Sequence, residues 1–291
     1  MGLWEGKVDI MEKTEQQLIK QILDSVTITN PKIKMGIGDD CAVVDYSEKF
    51  YQLISTDILV EDVHFDLSNM SLRQVGYKAL ACNISDIAAM AGEPEMAVIA
   101  LVIPERLDSQ DIAELYEGIT LLGKCFGVNI IGGDISRGDK LCISITILGI
   151  VKKDKIVYRN GAKDKDLIFV SGHLGASIKE KHYSFMPRIK EAKWLSENNL
   201  VHSMIDLSDG IAKDLSEILI ASKVTGAVIE KSKVPFSEDC FKIYDNIEDR
   251  FFHAMTDGED FELLFTAPAS AGDSISKSSY DFMQIGYIDA S

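Results

Sequence analysis

Two periodicities alternate along the chain. Apolar residues spaced three or four apart predict helices: Leu18, Ile19, Ile22 and Leu23 after Thr14-Glu15, and Ile112, Leu115, Ile119 and Leu122 within 108–126. Residues 71–91 are also helical in pattern, and Gly92 followed by Pro94 ends them. Apolar runs predict strands at 51–55, closing on Thr56-Asp57; at 96–103; at 128–131, leading into Gly132-Gly133-Asp134; and at 141–151. The charged stretch 152–155 is the best candidate boundary, dividing 1–151 from 152–291. Beyond it come a strand at 167–170, a helix at 188–197, a strand and turn at 204–210 and a helix at 211–222. Two strands, near 261–266 and 282–288, finish the pattern. Such alternation predicts an α/β or α+β fold.

Composition narrows the function. With 46 acidic against 30 basic residues, the net charge is −16, and no basic footprint for nucleic acid exists. No apolar run approaches the roughly 18–20 residues that span a bilayer. Met1 to Asp24 mixes Glu, Lys and Gln with apolar residues and does not read as a signal peptide. The expectation is a soluble cytoplasmic protein with no membrane partner. Its five cysteines form no CxxC pair, which predicts buried free thiols rather than structural zinc or disulfides.

Acidic residues recur beside Gly or Ser where predicted strands end: Gly38-Asp39-Asp40, Ser55-Thr56-Asp57, Gly133-Asp134, Asp206-Leu207-Ser208-Asp209-Gly210 and Gly258-Glu259-Asp260. Strand ends are where α/β proteins form ligand crevices. Hard cations such as Mg2+ take carboxylate, water and phosphate oxygens, and glycine lets backbone approach a phosphate. Each pair alone is equally ordinary turn chemistry. Asp86 differs. It sits in a predicted helix among Ile84, Ile87, Ala88 and Ala89, with Asn83 on the same face. A buried carboxylate there needs a partner, and a metal ion is a good one.

Common nucleotide motifs are missing. Gly36-Ile37-Gly38 lacks the third glycine of a dinucleotide fingerprint. Residues 118–124 approach a Walker A loop, but Cys125 replaces its Ser or Thr and the run lies inside a predicted helix. No protein-kinase catalytic loop, GxSxG or histidine-metal spacing occurs. Arg159, in Tyr158-Arg159-Asn160-Gly161-Ala162, and Arg188 after Pro187 are candidate phosphate contacts or surface arginines. His64 stands between Glu61-Asp62 and Phe65.

Seven motifs in order carry a family resemblance: 36–42, Ser55-Thr56-Asp57 with His64-Phe65, 83–90, Gly132-Gly133-Asp134, 158–163, 204–210 and 258–264. Together they resemble thiamine-monophosphate kinase, of the superfamily of aminoimidazole ribonucleotide synthetase and selenophosphate synthetase. The resemblance implies a two-domain synthetase-like fold, with an N-terminal ATP- and Mg2+-binding sheet domain that dimerises and a C-terminal α/β domain. It implies transfer of the γ-phosphoryl group of ATP to thiamine monophosphate, giving thiamine diphosphate. Carried over by motif, Asp39, Ser55, Thr56, Asp57, Asp86, Asp134, Asp206 and Asp209 would bind Mg2+, with Asp57, Asp86 and Asp134 central to catalysis. Tyr116, Gly133, Asp134, Arg159 and Ser208 would contact ATP, and His64, Glu259 and Asp260 would face the acceptor.

Donor and acceptor are both polyanions, so Mg2+ held by carboxylates suits the problem, and an already ionised acceptor oxygen needs no strong base. One departure stands out. Family chains usually continue into a segment whose aromatic residue stacks on thiamine, whereas this chain stops at Ser291. Either the stacking wall comes from elsewhere, with Tyr287 one candidate, or the acceptor is not thiamine monophosphate. A related ATP-using enzyme with another acceptor and a non-catalytic nucleotide-binding dimer are the alternatives.

Overall fold

Strand pairing divides residues 15–291, those described by the computed structural model, into two sheets. The first holds β1 (Ile33–Met35), β2 (Ala42–Asp45), β3 (Phe50–Val60), β4 (Glu93–Ile103), β5 (Asn129–Arg137) and β6 (Cys142–Lys152), in the order β1-β2-β3-β6-β4-β5. Neighbours are antiparallel except β4 and β5, which run parallel. A parallel pair needs a crossover. After α1 (Glu15–Ser25) and α2 (Leu72–Ala89), the helix α3 (Ser109–Phe126) provides it. Thr14, expected to lead into α1, lies outside the described residues.

The second sheet holds β7 (Leu167–Ser171), β8 (Ser203–Asp206), β9 (Ala227–Ile229), β10 (Leu263–Ala267) and β11 (Phe282–Ile288), in the order β8-β10-β7-β11-β9, all antiparallel. Beside it lie α4 (Ile189–Glu197), α5 (Ile211–Ser222), α6 (Glu238–Ile243), α7 (Ile247–Thr256) and α8 (Gly272–Ser276). One face packs Ile168, Val170, Ile205 and Leu264 with Ile211, Leu215 and Ile218 of α5. The other packs Phe169, Phe265 and Phe282 with Ala192 and Leu195 of α4 and with Ala88 of α2.

Helix α2 is the keystone of this arrangement. Ser71 caps it, accepting from Gln74 N while Gln74 reaches back to the cap. It is buried almost all round, as expected of a helix with apolar residues on every side. It touches β3 and β6 of the first sheet, and β8 and α4 beside the second. Gly118, which opens the near-miss Walker A run, lies in α3 against this helix. A Cβ there would sit 1.9 Å from Arg73 O, so its glycine serves helix packing.

Strand β3 is longer than its apolar run suggested. It pairs residue for residue with β6, from Phe50 opposite Lys152 to Val60 opposite Cys142, so Thr56 and Asp57 lie inside the strand. Likewise β5 runs on through Gly132-Gly133-Asp134, carried by its ladder with β4. Leu53, Ser55 and Leu59 alternate toward the helices, whereas Thr56 and Ile58 face the opposite, open side, where Ile58 is 54% exposed. The cysteines are all free, but only Cys41, Cys82 and Cys240 are buried; Cys125 is exposed and Cys142 partly so. No helix among the described residues is long and apolar enough to cross a membrane.

Candidate active site

Three carboxylates from three segments converge beneath α2. Asp40 follows the tight Gly38 turn, Asp86 sits near the end of α2, and Asp206 ends β8. Each offers an oxygen within 4.8 Å of those of the other two. Ser55 Oγ donates to Asp86 Oδ2, and Ser85 Oγ donates to Asp206 Oδ2 at 2.6 Å. Asp40 Oδ1 takes Arg159 Nη2 at 2.5 Å, while Asp40 Oδ2 is buried with no partner.

Like charges this close resist ionisation together. Burial, then Asp57, Asp206 and Asp40, pushes Asp86 well above the ordinary carboxylate range. Burial and Asp40 push Asp206 up to about 7. Asp39 rises to about 7 through burial and Asp40, and Asp57 to about 6 for the same two reasons. An unsatisfied carboxylate oxygen amid oxygen donors that repel one another fits a hard divalent cation. Asp40, Asp86 and Asp206, with Asp39 and Asp57 beside them, are the residues that would hold it.

Beside this cluster runs the loop 258–261. Glu259 N donates to Ser208 O and Phe261 N to Leu207 O, both at 2.8 Å, which ties the loop to the segment after Asp206. Gly258 has φ +72°, and a Cβ there would meet Ser208 O at 2.5 Å. Gly258→Ala should therefore destabilise the protein by about 1–3 kcal/mol, read as a lower denaturant midpoint. A cavity of about 660 Å3 opens next to the loop, lined by Asp62, His64, Phe65, Asp66, Tyr183 and Glu259 among others. His64 Nδ1 accepts from Val60 N at 3.0 Å, so its ring proton is on Nε2. Glu259 stays below the ordinary range: burial opposes its charge, but His182 and Lys78 outweigh it.

Comparison with known proteins places the chain in a family. Residues 38–151 match the model of the AIR synthase related protein N-terminal domain. The thiamine-monophosphate kinase of Rhodopirellula baltica is 39% identical over 251 residues, covering 83% of this chain and 78% of that protein. That of Bacillus subtilis is 34% identical over 263 residues, covering 82% and 79%. The chain belongs to the thiamine-monophosphate kinase family. It is accordingly a kinase. The solved structure of AaThiL complexed with AMPPCP and TMP superposes with a TM-score of 0.81 at 29% identity, covering 97% of this chain and 94% of that one.

Not every residue expected from the family motifs joins the cluster. Thr56 Oγ1 turns to the open face, bonding Ile145 O at 3.2 Å and Thr146 Oγ1 at 3.0 Å. Asp134 pairs with Ala100 on that same face and is exposed on edge strand β5, with Gly133 beside it. Strand alternation separates both from Ser55 and Asp57. Tyr116 is half-buried in α3 against the first core. Ser208 and Asp209 are exposed, and Asp209 pairs with Lys213 at 3.0 Å. Asp260 does not face the cavity: it is 1% exposed and accepts Gly175 N at 3.1 Å with both oxygens. Arg159 gives Nη2 to Asp40 while its buried Nε finds no partner, and Arg188 grips Glu262 at 2.6 and 2.7 Å.

Tyr287 is no stacking wall for this site. It pairs with Leu167, at the end of the second sheet opposite Ser171, Leu263 and Asp206. Four residues of strand, about 13 Å, lie between those levels. Tyr183 and Phe65 line the cavity instead.

Three residues escaped the sequence reading. Asp40 stood next to Asp39 in the same motif, and only the fold shows which of the two enters the cluster. Asp214 of α5 is 2% exposed, accepts Asp209 N at 3.1 Å, and is pushed up to about 8 by burial and Asp206. Lys78 is fully buried among Val75, Ala79 and Leu80; a cation in an apolar helix was a legible sign of the same kind as Asp86.

Proposed function

We propose that this protein transfers the γ-phosphoryl group of ATP to the phosphate of thiamine monophosphate, yielding thiamine diphosphate and ADP, in a Mg2+-dependent in-line displacement. The observation that carries this reading is the Asp40–Asp86–Asp206 cluster, with its unpaired oxygen, beside a cavity edged by His64 and Glu259. Lys78, bonded to the cavity residues His64 and Glu259, and Asp86 at the cluster are eight residues apart on α2, about 12 Å, which a two-ring phosphate ester can bridge. Mg2+ bound at the carboxylates would neutralise and align the phosphate oxygens of both reactants.

The chain's own residues do the rest. Asp62, Asp66 and Glu259 give the cavity an acidic lining that suits a cationic thiazolium ring. His64 Nε2–H offers a donor for the acceptor, and Arg159 restrains the Asp39-Asp40 turn through its N–H and its guanidinium. The acceptor phosphate is ionised at neutral pH, so no general base is required. Protein incubated with ATP, Mg2+ and thiamine monophosphate should form thiamine diphosphate; ATP turnover with a different acceptor alone would overturn the assignment.

The same reading places ATP binding and dimerisation in residues 1–151 and the closing α/β domain in 152–291, in a cytoplasmic homodimer. Its support is the open sheet face and edge, where Ile58, Ile131 and Ile135 are 54%, 59% and 64% exposed. Sedimentation should give a dimer, and Ile58→Asp should shift it toward monomer; a monomeric parent protein would contradict this.

A further inference from the structure

Among the described residues Lys78 is one of the largest fully buried side chains, and its charge is wholly enclosed. A lysine is almost never fully buried unless paired. Its ammonium has three N–H donors, and three segments use them: His64 O at 2.7 Å, Glu259 Oε1 at 2.7 Å and His182 Nδ1 at 3.0 Å. His64 comes from the turn after β3, Glu259 from the 258–261 loop, and His182 from the short 3-10 turn Lys181–Tyr183. All three residues line the same cavity.

An ammonium has no acceptor, so His182 Nδ1 must accept from it and the ring proton lies on Nε2. His182 Nδ1 is also 3.4 Å from Glu259 Oε2. His182 Nδ1 thus sits between the Lys78 ammonium and Glu259 Oε2, and the three side chains form one contiguous polar wall. The loop also needs a tether, because Glu259 and Phe261 occupy left-handed backbone at φ +54° and +49°.

We propose that Lys78 is a positioning residue of the acceptor pocket: by tying His64, Glu259 and His182 into one wall, it keeps Glu259 Oε2 directed at a cationic heterocycle on the acceptor. This rests on reading the cavity as the acceptor site. The ATP side of the reaction lies at the carboxylate cluster and is served by other residues.

The test compares wild type, Lys78→Met, Glu259→Gln and the double variant in steady-state kinetics with thiamine monophosphate and MgATP. Lys78→Met should raise the acceptor KM tenfold or more while the ATP KM stays within twofold. The double variant should match the worse single variant, since both act through one wall. If Lys78→Met alone fails to fold, the double variant, which removes both charges of the pair, carries the same measurement against Glu259→Gln. A folded variant with an unchanged acceptor KM, with both KM values raised in parallel, or with effects that multiply in the double variant would overturn the inference alone. A wild-type protein inactive with thiamine monophosphate overturns the functional reading and this inference with it.

Discussion

Asp86→Asn should lower turnover by about a thousandfold and yet leave a folded protein that, without Mg2+, melts at a higher temperature than its parent. The two effects share one cause. Asp86 lies with Asp40 and Asp206 inside a 4.8 Å triangle. At that separation, two carboxylates repel by about 3–4 kcal/mol at an effective dielectric near 20. Asparagine keeps the shape, can still accept from Ser55 Oγ and needs no buried proton, so at pH values where Asp86 ionises it relieves the apo protein by about 1–3 kcal/mol. That corresponds to roughly 2–6 °C in Tm. The same charge is what a divalent cation requires, and losing one such electrostatic contact costs about a hundred- to a thousandfold in rate. Circular dichroism, melting and turnover measured together check this. Turnover at the parental rate in a folded variant would remove Asp86 from the chemistry.

Stability of the metal-free protein should fall as pH rises from 5.5 to 8, and Mg2+ with an ATP analogue should cancel that fall. Asp57 is pushed up to about 6, Asp39 and Asp206 to about 7 and Asp214 to about 8, in each case by burial first and by neighbouring carboxylates next. In the unfolded chain these groups titrate near their ordinary value, about 3.9. Between the two limits the native state binds more protons than the unfolded state, so stability decreases with rising pH. Their contribution is complete below about pH 4 and is lost as pH passes the folded values. Carboxylates away from the cluster such as Asp45 and Asp66, held below the ordinary range, titrate outside this window. A drop in Tm of about 5–10 °C is expected across it without metal. Mg2+ binds the ionised form, so its stabilising effect should grow with pH. A flat apo profile would contradict the convergence of these carboxylates.

Much of this was legible along the chain. The helix 71–91 and the strand 282–288 follow from apolar spacing because each is long or clearly punctuated. Asp86 stood out because a carboxylate among isoleucines and alanines needs a partner, and the fold sets it against Ser55, Asp40 and Asp206. The same logic applied to Lys78, eight residues earlier on the same helix, and was not followed. Short elements such as β1 and β9 carry too few residues for a period to show. Side-chain direction was the larger blind spot. A motif places Ser55, Thr56 and Asp57 together, but strand alternation sends Thr56 to the opposite face. In the same way, the tight loop at 258–261 sends Glu259 to the cavity and Asp260 inward to Gly175. Motif order identified the family; only the fold separates residues that meet the ligand from those that hold its frame.

Crystals grown with Mn2+, a non-hydrolysable ATP analogue and thiamine monophosphate offer the most direct check, since Mn2+ scatters anomalously and takes the same oxygen ligands. Anomalous peaks should lie within coordination distance of Asp40, Asp86 and Asp206, between the two phosphate groups. Phosphates bound with no peak at those three carboxylates would show that they are not a cation site, and the phosphoryl-transfer account built on them would be wrong.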